Sequence, residues 1–83
     1  MAGYEYSLDR EAVVEFSSCS ASEQRMLLDA FDRLAAHPFT EGDCVLRDSH
    51  DRDNQVLDLG GFVVSFWSDH AVRVVRITVV ERV

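Results

Sequence analysis

Asp69 and His70 stand side by side in Trp67-Ser68-Asp69-His70, where acid–base chemistry has its best candidate. An imidazole with an ordinary pKa of about 6.5 gains and loses its proton near neutrality. Arg73 and Arg76 follow within six residues, and Arg47 and Arg52 lie earlier. Four guanidinium groups are suited to holding a phosphate or a developing anion. Each has a plainer reading. An aspartate in a hairpin turn caps its own backbone more often than it orients a neighbouring histidine. Arginine stems commonly lie along a sheet while their heads pair with carboxylates. Both plainer readings are favoured here, and Arg47, Arg52, His70, Arg73 and Arg76 stand as weak catalytic candidates. Trp67, at the end of an apolar run, is either core or an anchor for a partner, and Arg73 and Arg76 join it as candidate partner contacts.

Other constellations exclude more than they suggest. Asp48, His50, Asp51, Asp53 and Asn54 offer oxygen ligands, but their spacing lacks the glycine and distant glutamate of a calcium loop. A solvated acidic turn fits them better. The chain has no zinc-ligand spacing, no glycine-rich phosphate loop and no Ser-His-Asp pattern, so no metal and no cofactor are expected. His37 before Pro38 is placed to neutralise the last carbonyls of a helix. Cys19 and Cys44 form no Cys-x-x-Cys pair and read as two buried free thiols.

The charge balance bears on partners. The 83 residues carry a net charge of −7, and every positive side chain is arginine. Residues 1–46 hold three arginines against nine acids, and residues 47–83 hold five against six. An acidic chain opposes non-specific nucleic-acid binding, because phosphate affinity comes mostly from Lys and Arg. No apolar run approaches the ~20 residues of a membrane span, and no basic segment precedes an apolar stretch at the start. The expectation is a single cytoplasmic domain over 1–83, with no membrane association.

The elements that must position these residues follow from periodicity. Tyr4-Glu5-Tyr6-Ser7-Leu8 alternates apolar and polar, which predicts a strand with one buried face. Asp9 can cap a short helix through Ala12, Val13 and Phe16, broken at Ser17-Ser18-Cys19. Ser20-Ala21-Ser22-Glu23 is a capping box opening a second helix, with Leu27, Phe31 and Leu34 on one stripe. Pro38 stops that helix at about His37. Residues 54–83 then read as three consecutive strands, rich in β-branched and aromatic residues. Gly60-Gly61 and Ser68-Asp69-His70-Ala71 turn the chain between them, and such short connections force antiparallel neighbours. A further short strand is open at Cys44–Arg47. The predicted fold is α+β: β-α-α-β-β-β, a helical hairpin packed on an antiparallel sheet. On the last strand Arg73 is expected beside Val75, Ile77 and Val79, and Arg76 beside Val74, Thr78 and Val80. Neither set is cleanly polar, so the outer sheet face is expected to meet a partner.

This order resembles the RelE/ParE toxin superfamily of bacterial type II toxin–antitoxin systems, some members of which take part in plasmid stabilization. The resemblance spans nearly the whole chain. It is carried by the opening strand, the hairpin ending in Leu34-Ala35-Ala36-His37-Pro38, and Gly61-Phe62-Val63-Val64-Ser65-Phe66-Trp67 before a tight turn and a last apolar strand. A subgroup of small members also shares Gly42-Asp43, Arg47-Asp48, Arg52 and Trp67-Ser68-Asp69-His70. The resemblance implies a cognate antitoxin as partner. In its mRNA-cleaving members an arginine follows the Gly-aromatic pair, where this chain has Val63, and lysines precede it, where this chain has Val56 and Asp58. The family's ribonuclease residues are thus mostly absent, and enzyme activity is left open. The function expected is a toxin or toxin relative acting through protein binding, with DNA gyrase as a fitting target. The alternatives are a divergent ribosome-dependent mRNA endonuclease and a non-toxic homodimeric domain pairing through a sheet edge or apolar face.

Overall fold

The computed structural model describes residues 3–83. Its elements run β1 (Glu5–Leu8), α1 (Arg10–Ser18), α2 (Ala21–Ala36), β2 (Cys44–Arg47), β3 (Asp53–Asp58), β4 (Phe62–Asp69) and β5 (Val74–Arg82). Met1 and Ala2 of the expected domain lie outside the described residues. The capping box forms as anticipated: Ser20 Oγ accepts from the Glu23 backbone N–H at 3.2 Å, and Glu23 Oε1 accepts from the Ser20 N–H at 2.8 Å. Asp9 occupies the N-cap of α1 with no side-chain cap bond, and Ser17 and Ser18 continue that helix rather than break it. The two helices lie on one face of the sheet. Leu27, Phe31 and Leu34 of α2 and Ala12 of α1 pack against Phe62, Val64, Phe66, Val75, Ile77 and Val80. Burying each large side chain of this cluster contributes about 1.5–3 kcal/mol.

The sheet has five strands in the order β1-β5-β4-β3-β2, so the optional strand at Cys44–Arg47 is present. Four strands form an antiparallel meander, whereas β1 joins β5 in parallel. The sheet is therefore mixed, because the helical hairpin carries the chain back across before the meander begins. Gly60 and Gly61 take φ of +73° and +133°, and Leu59 N–H donates to the Phe62 carbonyl across them at 2.8 Å. Glycine adopts both conformations without a Cβ penalty.

Two expectations about β5 are corrected. Arg73 is not on the strand but in the turn before it, with a left-handed φ of 56°. Ser65 pairs with Val79 while Phe66 pairs with Ile77, which leaves Thr78 as an extra residue in β5. Such a bulge reverses the strand's alternation. Val75, Ile77 and Val80 can then all face the helices, a combination that strict period-two reading forbids. Cys44 is also corrected: Cys19 is buried, but Cys44 is an exposed thiol on β2.

Candidate functional site

The outer sheet face carries Trp67 directly opposite Arg76 in the β4–β5 ladder. The Arg52 guanidinium lies over the indole, 3.8 Å from its centroid. Arg76 reaches Asp69 at 3.9 Å and Ser7 Oγ at 3.4 Å. Trp67 is half-buried, so the structure brings Trp67, Arg52 and Arg76 together as one patch. Arg47 is held elsewhere, by Asp51 at 3.0 Å and Asp53 at 3.3 Å. Arg73 remains in its exposed turn. The candidate cations are thus spread over different features, and three of them already face a carboxylate or an aromatic ring.

The apolar outer face expected to meet a partner is partly covered by the chain itself. The β2–β3 loop folds over it, leaving Asn54 2% and Val56 8% exposed. Asp48 organises this loop by accepting from the backbone N–H of His50 at 2.8 Å and Arg52 at 3.0 Å, and from Asn54 Nδ2 at 2.8 Å. Desolvation works to raise the Asp48 pKa. The bonds from Asn54, Arg52 and His50 outweigh it and hold the carboxyl below the usual aspartate range. Asn54 Oδ1 in turn lies 2.7 Å from the Thr78 hydroxyl, which also approaches the Ser65 carbonyl at 3.1 Å. The acidic run is thus a turn exposed over residues 49–53, as expected, which Asp48 ties to a buried polar network through Asn54. Among the described residues, no group of three or more His, Cys, Asp or Glu is arranged to hold a metal ion.

His70 sits at a second place, beyond the end of β4. Its Nδ1 lies 2.6 Å from the Tyr4 hydroxyl, and Phe39 stacks on the ring at 4.6 Å and 12°. Asp69 instead accepts from the Ala71 N–H at 3.2 Å, which is turn chemistry. A cleft of about 250 Å³ opens beside His70, lined by Phe39, Glu41, Asp53, Gln55 and Trp67 among others. One wall is the α2–β2 connection, fastened to the sheet by Ser68 Oγ donating to the Pro38 carbonyl at 2.6 Å. The cleft offers two carboxylates and one imidazole. Cleavage of RNA through its 2′-hydroxyl needs cations around a developing dianion as well as a base and an acid.

No protein-family model matches the chain, and no curated protein matches it. In three dimensions it is similar to a chain of the archaeal RelE–RelB complex from Pyrococcus horikoshii OT3. The TM-score is 0.74 at 20% identity, over 95% of this chain and 93% of that one.

The fold is RelE-like.

Within this RelE-like frame, sequence reasoning missed Tyr4 and Phe39 as the partners of His70, and Asn54 as the keystone of the loop. Tyr4 and His70 are 66 residues apart and meet because β1 runs parallel beside β5. Only the parallel pairing reveals that proximity, and local periodicity carries no sign of it. Asn54 stands between Asp53 and Gln55 at the head of β3, so no sequence signal singled it out for the network.

Proposed function

We propose that the chain is a toxin or toxin relative of a type II toxin–antitoxin system that works mainly by binding protein, with an antitoxin as its partner. The RelE-like fold supports the kinship, since the similar structure is a RelE–RelB complex. The observation that carries the protein-binding reading is the state of the arginines. Arg47 lies between Asp51 and Asp53, Arg76 meets Asp69, and Arg82 is paired with Glu23. A phosphate clamp needs cations whose charge is uncompensated and convergent. Of the candidates, Arg47 and Arg76 face carboxylates, Arg52 lies on the Trp67 ring, and Arg73 stands apart in its turn. Only Arg52 and Arg76 share a patch, and Arg76 there already faces Asp69. The helical hairpin meanwhile exposes Val13, Val14, Met26 and Leu28 among acidic side chains, a surface that suits an apolar and basic partner segment.

DNA gyrase fits as a cellular target better than messenger RNA, because inhibition by binding requires no catalytic constellation. The test is co-expression with the product of an adjacent short reading frame. Co-purification as a stable complex that relieves growth arrest is the expected result. Absence of both growth arrest and complex would refute the reading and leave a non-toxic domain.

A further inference from the structure

β2 ends the sheet order β1-β5-β4-β3-β2, so one side of it faces no other strand among the described residues. All four of its residues are exposed, with Val45 at 51% and Leu46 at 59%. Neither proline nor lysine guards it, although its shortness limits pairing. The ladder shows which backbone groups point outward. Arg47 is opposite Asp53, and the next bond runs from Asp48 N–H to the Arg52 carbonyl at 2.9 Å. That pattern marks Arg47–Asp53 as a non-hydrogen-bonded pair in an antiparallel ladder. By alternation, Leu46 spends its backbone groups on Asn54, while Val45 and Arg47 direct theirs to the open edge.

We propose that β2 is a self-association edge: two copies of this chain pair their β2 strands antiparallel about a twofold axis at Leu46, joining two sheets into one. In this register Val45 lies opposite Arg47 of the second copy. Both outward N–H groups and both outward carbonyls on each strand then find a partner. Leu46 faces Leu46 of the other copy as a non-hydrogen-bonded pair, in which side chains approach most closely. Other registers with the same alternation are poorer. An axis at Arg47 sets the two arginines directly opposite, which is destabilising. An axis at Val45 calls on Asp43, whose N–H already donates to the Val56 carbonyl at 2.7 Å and whose carboxylate accepts from the Asp58 N–H at 2.9 Å. In the chosen register Cys44 faces Asp48 and Asp43 faces Ser49, so no like charges oppose each other. The contact is short and falls among the small interfaces, so pairing depends on concentration. Self-pairing is independent of the toxin reading and is tested on the isolated chain.

The test is Leu46→Cys with Cys44 retained, under mild oxidation and non-reducing mass spectrometry. A non-hydrogen-bonded pair holds Cα atoms about 4.5 Å apart, inside the range a disulfide spans. The expected product is a covalent dimer with position 46 joined to position 46, and Cys44 still reduced. Val14→Cys, on exposed α1, is expected to stay monomeric under the same conditions. A link between positions 44 and 46, or equal cross-linking of both variants, would overturn the register. A folded Leu46→Cys chain that remains monomeric would overturn the edge itself. Sedimentation equilibrium supplies the second arm: the unmodified 9.4 kDa chain should show concentration-dependent doubling of mass. Leu46→Lys, which sets like charges face to face, should weaken it about tenfold or more. Identical sedimentation of the two chains would count against the proposal.

Discussion

Gly42→Ala is expected to be among the most damaging single-methyl changes in this chain. A Cβ at position 42 would lie 2.4 Å from the Val56 carbonyl oxygen, 2.7 Å from its nitrogen and 2.8 Å from its carbonyl carbon. All three atoms belong to the backbone of β3, so no side-chain rotation relieves the clash. The chain must instead move away by several tenths of an ångström. That shift strains the bond from Gly42 N–H to Gln55 Oε1, now 2.8 Å, and the bond from Asp43 N–H to the Val56 carbonyl, now 2.7 Å. Overpacking of this kind costs about 1–3 kcal/mol, and each weakened hydrogen bond adds roughly 0.5–1.5 kcal/mol. A total of about 2–6 kcal/mol is a large share of the total stability typical of a domain this size, roughly 4–12 kcal/mol. Equilibrium urea unfolding measures the loss, and hydrogen exchange should show β2 amides losing protection first. Gly60→Ala is the control. Its Cβ meets nothing within 4 Å, and its positive φ of 73° alone is expected to cost about 1–2 kcal/mol. Equal stability of Gly42→Ala and the unsubstituted chain would refute the close approach of the α2–β2 connection to β3.

Four further outcomes follow from the same geometry. Leu27→Ala empties a fully buried site and should cost about 2–5 kcal/mol in chemical denaturation. The bond from Arg82, with the Ser20 backbone N–H, lowers the Glu23 pKa from 4.5 to about 2, so its folded form holds a proton less tightly than its unfolded form. That stabilisation is complete above about pH 4.5 and is lost as pH falls towards 2; an acid titration followed by circular dichroism should lose this component in Glu23→Gln. Arg73→Gly relieves a left-handed turn position and should stabilise the fold by about 0.5–1 kcal/mol, seen as a raised melting temperature. Arg52→Ala uncovers Trp67, the one tryptophan, and should shift its fluorescence to longer wavelength.

Legibility in the sequence tracked how local the determining interaction was. The capping box, the Leu27–Phe31–Leu34 stripe, the Pro38 stop and the Gly60–Gly61 turn depend on neighbours within a few residues, and each formed where the residues indicated. The bulge at Thr78 was invisible, because it arises from the register between β4 and β5 and erases the alternation used to read faces. Arg73 was misplaced for a related reason: Val72 before it and Val74-Val75 after it favour β structure and masked a turn ending two residues beyond Ala71, at Arg73 itself. The parallel seat of β1 is also non-local, and it alone joins Tyr4 to His70. The acidic loop is exposed over residues 49–53 as it reads, but nothing in its composition shows that Asp48 turns back to Asn54. At the candidate site, residue types were legible while partners were not. Arg76 meets Asp69, the carboxylate pairing expected of it, and Arg47 meets Asp51 and Asp53, whereas the seat of Arg52 on Trp67 had no sign in the sequence.

The sharpest check is a cleavage assay with the purified chain, ribosomes and a translated message, mapping new RNA 5′ ends. Arginines that are carboxylate-paired, stacked on Trp67 or set apart in a turn should leave the message uncut at any concentration of the chain that arrests growth. Ribosome-dependent cuts that disappear with His70→Ala, or with alanine at Arg47, Arg52, Arg73 or Arg76, would mean that catalysis rather than protein binding is what this fold performs.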